Sequence, residues 1–237
     1  MKTWQIVALS TLVTFGIGGT YLYSVWQHRH APSAQDVAAH KAASEPTVRM
    51  LGAQTFEDVQ QLVNTSVWMK HGNAITYFPF RNGHIDFAHR KGEVAPLQRL
   101  DIRQITQATV PPTAHDGIEP PGPQIFAIFT MPKDSNYYAV PIGLKQQGMP
   151  VFMTDVFFLY DDPHSIYAGW PDSVWKAIDA HQPTVGMTEL QVKFAIGRKI
   201  ISRSGSEEGN RSLTIAWADK LWKINFEDGK ATSITSE

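Results

Sequence analysis

The chain has 237 residues, of which 43% are hydrophobic and 18% are charged. That composition supplies enough apolar material for a core and excludes a chain that is disordered along its whole length. The formal net charge of -1 offers no overall attraction to a polyanion, so we expect no nucleic-acid partner. Because the chain has no cysteine, it cannot form disulfides, thiolate metal sites, a cysteine nucleophile or the acylated cysteine of a lipoprotein.

The first predicted element is an apolar segment, residues 6–26, that carries no charged side chain. About 20 helical residues cross the roughly 30 Å hydrocarbon layer of a bilayer. The sequence therefore predicts a transmembrane anchor within residues 1–26, with the lipid bilayer as a partner of residues 6–26. Trp4 lies at one end and Tyr23 and Trp26 at the other, where aromatic rings favour the water–lipid boundary. The alternative is a cleaved signal peptide, whose apolar core usually has about 7–15 residues.

The orientation of this segment is left open by the sequence. Arg29, Lys41 and Arg49 follow it, and the retention of positive charge inside the cell favours a cytoplasmic body. A short N-terminal tail before a signal-like segment favours export. We expect export, which makes the protein a single-pass protein of the inner (cell) membrane with its C-terminal body on the periplasmic, extracytoplasmic side.

The rest of the chain divides by composition into a tether and two folded regions. Residues 27–54 lack a continuous apolar stripe, which predicts a tether. Residues 55–170 hold a leading helical pattern over 55–68 and then several strand-forming runs, including 151–160. A β-rich domain is expected there. Residues 171–237 return to helical patterns before more strands.

The C-terminal region opens with two helical patterns. Residues 172–180 have an apolar helical face, and Thr188 followed by Gln191 is the pattern of a capping box before an apolar run that ends at Gly197. Short strands are then predicted at about 199–203, 212–218, 221–226 and 231–234.

This C-terminal pattern resembles the SmpA/OmlA (BamE-like) family of bacterial envelope lipoproteins, over residues numbered about 172–236. The resemblance is carried by Gly186-Met187-Thr188, Gln191-Val192, Ile196-Gly197 and Trp222-x-Ile224-x-Phe226-x-Asp228-Gly229-Lys230. It implies a helix–helix–antiparallel-sheet module outside the cytoplasm, which supports outer-membrane protein assembly or envelope integrity by contact and without catalysis. The lipid-bearing cysteine of the family is absent here.

Two polar clusters carry the candidate chemistry. His84, Asp86 and His89 are residue types that bind metals, but neither a strand nor a helix places all three on one face. The second cluster follows an apolar run, where catalytic side chains occur and where turns use the same residue types. It consists of Asp161, Asp162 and His164. We expect solvated polar residues in both clusters, and therefore no catalytic residue, no metal and no cofactor.

Aromatic residues concentrate where the two folded regions meet. Tyr167, Trp170 and Trp175 lie within nine positions of one another. They either bury the seam between the regions or form a surface for a partner, since large aromatic rings dominate both kinds of contact. We name these three residues as the candidate partner surface.

The expected fold class is α+β, with an N-terminal transmembrane helix, a β-rich middle domain and a C-terminal BamE-like module. The expected function is that of a membrane-anchored, non-catalytic interaction or assembly module with an envelope protein partner. It is not expected to be an enzyme.

Two alternative functions stay open. One is a membrane-tethered hydrolase, which requires its residues to converge in one pocket. Its candidates are Asp161, Asp162 and His164 or His84. The other is a sensor of a small ligand or lipid with a pocket in the β-rich domain. The aromatic lining of that pocket would be Phe126, Phe129, Phe152 and Phe157.

Overall fold

The computed structural model describes residues 46–70, 75–112, 114, 121–197, 199–205 and 207–237. Within that part, 46% of the residues are in strands and 16% are in helices. The strands form a nine-stranded sheet and a four-stranded sheet, and all the strand pairs are antiparallel.

The elements of the described part are short helices and strands of widely different length. In the first half they are α1 (Phe56–Gln60), β1 (Ser66–Met69), β2 (Thr76–Arg81), β3 (His84–Ile85), β4 (Gly92–Glu93), β5 (Arg99–Val110), β6 (Gly122–Met131), β7 (Asp134–Gln146) and β8 (Met149–Phe152). In the second half they are α2 (Thr154–Phe157), β9 (Phe158–Leu159), α3 (Pro163–Ile166), α4 (Asp172–Asp179), α5 (Glu189–Ile196), β10 (Ile200–Ser204), β11 (Ser212–Trp217), β12 (Lys220–Glu227) and β13 (Lys230–Ser236).

The larger sheet has the strand order β3-β2-β7-β6-β5-β1-β9, with β4 also paired to β2 and β8 also paired to β7. Its centre is the meander β5-β6-β7, whose strands have 12, 10 and 13 residues. Because successive side chains of a strand point to opposite faces, β6 contributes Phe129 to one core and Phe126 to another on the opposite face.

The smaller sheet runs in sequence order from β10 to β13. Ile215, Ile224 and Phe226 are buried in one hydrophobic core with Ile178 of α4 and Val192 of α5. The same core includes Leu159 of β9, so the two sheets share apolar contact.

The expected fold class is wrong as stated. The described part of the chain is β-rich, with two sheets and helices of four to eight residues. Among the described residues, no helix has the length and apolar character needed to cross a membrane. The helix predicted for residues 6–26 lies outside the described residues. Strand outweighs helix because the three central strands have 12, 10 and 13 residues, whereas no described helix has more than eight.

Two further predictions about single elements are wrong. The helix predicted over 55–68 ends at Gln60, because the chain then turns through Asn64 at a positive φ of 63° and continues as β1. The single strand predicted over 151–160 divides into β8, α2 and β9. In contrast, the capping box of α5 is present as predicted: Gln191 N donates to Thr188 Oγ1 at 3.3 Å, and Thr188 N donates to Gln191 Oε1 at 2.8 Å.

Asp155 of α2 explains the division of that strand, because its side chain binds a distant part of the backbone. The amide of Leu51 donates to Oδ1 at 2.7 Å and the amide of Gly52 donates to Oδ2 at 2.9 Å. The Tyr160 hydroxyl donates to Oδ1 at 2.7 Å, and Lys70 Nζ donates to the backbone oxygen of Asp155. Asp155 therefore links Leu51 and Gly52, near the first described residues, to the segment between β8 and β9 of the larger sheet.

These contacts also set the ionisation of Asp155. Burial raises its pKa, but the hydrogen bonds from Leu51, Tyr160 and Gly52 and the charge of Lys70 outweigh burial and hold the pKa below its ordinary value of 3.8. A carboxylate with a depressed pKa in the folded state stabilises the fold above its unfolded pKa. That contribution is lost as the pH falls through the folded pKa.

We expect Asp155→Asn to lower the free energy of unfolding by about 2 kcal/mol at neutral pH, because hydrogen bonds to a charged acceptor are lost. The difference between the original chain and the variant should shrink as the pH falls below 3.8. Urea unfolding of both chains at neutral pH and at several pH values below 3.8 measures this difference. Asp179→Asn is the control, because it removes an exposed carboxylate. A difference that stays constant down to the acid limit would contradict this account of Asp155.

Candidate functional site

The three aromatic residues predicted as a partner surface come together, but they differ in burial. Trp175 of α4 is 8% exposed and belongs to the core of the smaller sheet. Tyr167 and Trp170 are only partly buried and pack against that core. Their ring centroids are 4.4 Å apart and their planes differ by 27°, so the two rings are stacked on each other.

The stacked pair rests on a rigid support. Phe194 of α5 lies beneath both rings, with centroid distances of 5.2 Å to Tyr167 and 5.5 Å to Trp170. Trp175 is 5.2 Å from Trp170. The chain reaches this position through a tight turn, in which the Trp170 amide donates to the Tyr167 carbonyl oxygen at 2.9 Å. We call the half-buried pair Tyr167 and Trp170 the aromatic ledge.

Small residues leave the aromatic ledge accessible. Ala168 and Gly169 form the turn between the two rings and are exposed, and a Cβ built on Gly169 meets no atom within 4 Å. Aromatic rings that are held in place by a core lose little side-chain entropy when a partner covers them. The ledge therefore has the geometry of a small preformed contact surface.

Two residues of the hydrolase alternative lie together, and the other two are engaged elsewhere. Asp162 Oδ1 accepts from the His164 amide at 2.9 Å and lies 3.2 Å from His164 Nδ1, and the His164 ring stacks on Trp175 at 4.0 Å. Asp161 pairs with Arg49 at 3.4 Å. His84 lies on β3, at the opposite end of the strand order from β9, which precedes Asp161. The structure therefore brings Asp162 and His164 together on the surface and does not bring His84 to them.

The other polar cluster is also divided. His89 Nδ1 lies 2.9 Å from both carboxylate oxygens of Asp86, and this hydrogen bond lowers the pKa of Asp86. His84 sits on β3 and pairs in register with Arg81. Within the described ranges, no group of three or more His, Asp or Glu side chains has the arrangement of a metal site.

The four phenylalanines of the sensor alternative do not line one cavity. Phe126 and Phe129 are both fully buried, but they belong to cores on opposite faces of β6. Phe157 is buried in the same core as Phe129, and Phe152 packs against it. In the described structure these side chains pack in or against the hydrophobic cores on the two faces of the larger sheet.

The structure also reveals a cleft of about 780 Å³ that sequence reasoning missed. One wall comes from β2, β4 and the residues before β4, and the other comes from the hairpin between β11 and β12. Its lining consists of Thr76, Arg90, Lys91, Gly92, Glu93, Lys199, Ala216, Trp217, Ala218, Asp219, Lys220 and Leu221. We call it the inter-sheet cleft. The strands predicted at about 212–218 and 221–226 were a local sign of the hairpin, but no sequence pattern indicated that residues near 91 face it.

Comparison of the chain with protein-family models, with curated proteins and with solved structures found no match. The resemblance of the C-terminal region to the SmpA/OmlA (BamE-like) family therefore stays a prediction from the residues quoted for it.

We expect the two tryptophans of this region to differ in their effect on stability. Trp175→Ala should lower the free energy of unfolding by about 3–5 kcal/mol, as is usual for a buried aromatic side chain. Trp170→Ala should cost less, about 1–2 kcal/mol, because its side chain is only partly buried against the core. Urea unfolding of the two variants measures both. Equal losses would mean that Trp170 is a core residue and is not available to a partner.

Proposed function

We propose that this protein is a non-catalytic interaction or assembly module of the cell envelope, and that it docks an envelope protein through the aromatic ledge. The observation that carries this proposal is the stacked, partly buried pair Tyr167 and Trp170 on its buried support of Phe194 and Trp175. Aromatic anchors on a rigid base are the usual centres of binding energy in protein interfaces.

The non-catalytic part of this proposal is supported by the surroundings of the candidate groups. Catalytic acids and bases must lie within hydrogen-bond reach of one reacting atom, in a site that excludes water. Asp162 and His164 pair with each other, but both side chains are exposed to solvent. Asp161 is paired with Arg49, and His84 lies on a strand at the other end of the larger sheet's strand order.

The proposed location rests on the sequence. Residues 6–26 carry no charged side chain and are mostly apolar, which favours association with a membrane. The resemblance of the C-terminal residues to a family of envelope proteins supports an extracytoplasmic body. That family acts by contact and without catalysis, which agrees with docking as the mode of action.

Site-specific photo-crosslinking in intact cells tests the proposal. A photoreactive residue at Ala168, between the two rings of the ledge, should give a discrete adduct with one envelope protein. The same residue at Thr235, which is exposed on β13, is the positional control and should give none. Equal adducts at both positions, or no adduct at Ala168, would contradict docking at the ledge.

Substitution of the ledge should weaken the same adduct. We expect Tyr167→Ala to reduce its yield at least tenfold, because loss of a central aromatic contact commonly costs about 2 kcal/mol or more of binding energy. Tyr137→Ala is the matched control, since Tyr137 is 49% exposed and lies on β7 of the larger sheet. A tenfold loss in both variants would point to a general effect on the protein.

A further inference from the structure

An open groove of about 400 Å³ lies on the face of the larger sheet that carries Ile128. Its lining comes from β2 and the turn that follows it, and from β5, β6 and β7, which are neighbours in the strand order. The lining residues are Phe80, Asn82, Arg103, Gln104, Ile128 and Tyr137. We call this feature the sheet groove. Since these residues come from four separate segments of the chain, only the pairing of the strands brings them together.

A β-bulge in β5 concentrates polar side chains in the sheet groove. Ile102 is paired with Phe129 of β6. The next pair joins Gln104 to Ile128, which leaves Arg103 as an extra residue in β5. Successive residues of a regular strand point to opposite faces, whereas here Arg103 and Gln104 both line the groove. Bulges occur disproportionately beside functional sites, where they redirect a side chain.

The groove combines an apolar base with an exposed aromatic ring. Ile128 is 1% exposed and belongs to the hydrophobic core on this face of the sheet, and Phe80 packs against the same core. Tyr137, in contrast, is 49% exposed on β7. An aromatic side chain of this kind presents a flat apolar surface together with a polar tip. Tyr137 therefore offers a ring face to a ligand in the groove.

The polar groups of the groove are mostly uncharged. Asn82 and Gln104 are both exposed, and each side-chain amide can donate and accept hydrogen bonds. The charged side chain among the lining residues, Arg103, donates from Nε to Thr130 Oγ1 at 3.3 Å, and its charge interacts with the Asp101 carboxylate. Because Arg103 has these partners within the protein, recognition of a ligand here depends on the two amides and does not require an ionic group.

These features together favour a neutral saccharide. A sugar hydroxyl both donates and accepts hydrogen bonds, as do the amides of Asn82 and Gln104. The C–H groups of a pyranose ring form an apolar face that can stack on an aromatic ring such as that of Tyr137. A wholly apolar ligand would cover the two amides without pairing them, which is unfavourable. The volume of about 400 Å³ is within the range of sites for small ligands, which is about 300–1,000 Å³.

We propose that the sheet groove binds a neutral saccharide, with one pyranose ring stacked on Tyr137 and its hydroxyls hydrogen-bonded to Asn82 and Gln104. The groove shares no residue with the aromatic ledge, so this inference does not rest on the proposed function and can succeed or fail without it.

Ligand-observed saturation-transfer NMR of the full chain tests the proposal. The chain is held in an alkyl polyoxyethylene detergent, because a glucoside or maltoside detergent would itself offer sugar rings. The probes are maltotriose, galactotriose, mannotriose and chitotriose. We expect at least one of them to bind with a dissociation constant of about 1 mM, as is usual for a single ring held in an open groove. Sorbitol, which has the hydroxyls of a sugar but no ring, should not bind detectably.

Two pairs of variants locate the site. Tyr137→Ala should weaken binding at least about tenfold because it removes the ring face, while Tyr137→Phe keeps the ring and should weaken binding less than about threefold. Gln104→Ala should weaken binding at least about fivefold because it removes one amide partner. Its matched control is Gln107→Ala, which should change binding less than about twofold. Gln107 is also exposed on β5, but it is paired with Ile125, which belongs to the core on the opposite face of the sheet.

The combined outcomes decide the matter. All three substituted side chains are exposed, so the variants should fold, and thermal unfolding checks this. Binding that is weakened by Tyr137→Ala and Gln104→Ala, and is kept by Tyr137→Phe and Gln107→Ala, supports the groove. The proposal would be overturned by equal weakening in Gln104→Ala and Gln107→Ala, by binding that depends on Tyr167 of the aromatic ledge, by comparable binding of sorbitol, or by no binding of any trisaccharide. The crosslink from Ala168 is measured separately, so failure of either proposal is distinguishable from failure of the other.

Discussion

The burial of β6 on both faces and along both edges is the constraint on which the rest of the fold depends. Residues 124–130 are all buried, and the strand is paired to β5 on one side and to β7 on the other. A buried strand must satisfy its backbone groups through such pairing, because an unpaired amide or carbonyl away from water is costly. The long meander β5-β6-β7 is the arrangement that meets this demand.

Both faces of β6 must also be covered by apolar side chains, and this requirement determines which elements pack on each face of the larger sheet. Ile125, Ala127 and Phe129 contribute to the core that α1, β1 and α2 close. Phe126 and Ile128 face the opposite side, where Phe87 of the loop after β3 packs against them. Each fully buried large apolar side chain contributes about 1.5–3 kcal/mol, so the two cores together hold the larger sheet rigid. The aromatic ledge has a separate support, because Phe194 and Trp175 belong to the core of the smaller sheet.

Local signals in the sequence predicted the elements that local interactions define. The capping box at Thr188 and Gln191 follows from hydrogen bonds within a few residues, and the β-rich character of residues 55–170 follows from their runs of strand-forming residues. The division of residues 151–160 did not, because Asp155 is held by amides more than one hundred positions away. The inter-sheet cleft was missed for the same reason, since Lys91 and Lys220 meet only after the two sheets have packed. The aromatic residues were found by their density in the sequence, but only the structure separates the buried Trp175 from the partly buried Trp170.

Two groups of ion pairs in this protein show how burial changes what a charged pair contributes. Arg211 and Lys193 both pair with the buried carboxylate of Glu189, which also accepts from the Gly209 amide at 3.3 Å. That carboxylate would be strongly destabilising if it were buried without these partners. In the inter-sheet cleft, by contrast, Lys199 and Glu93 form an exposed pair of the kind that contributes about 0–1 kcal/mol. The partners of Glu189 are therefore needed for the fold of the C-terminal region, whereas the pair of Lys199 and Glu93 can be lost at little cost in stability.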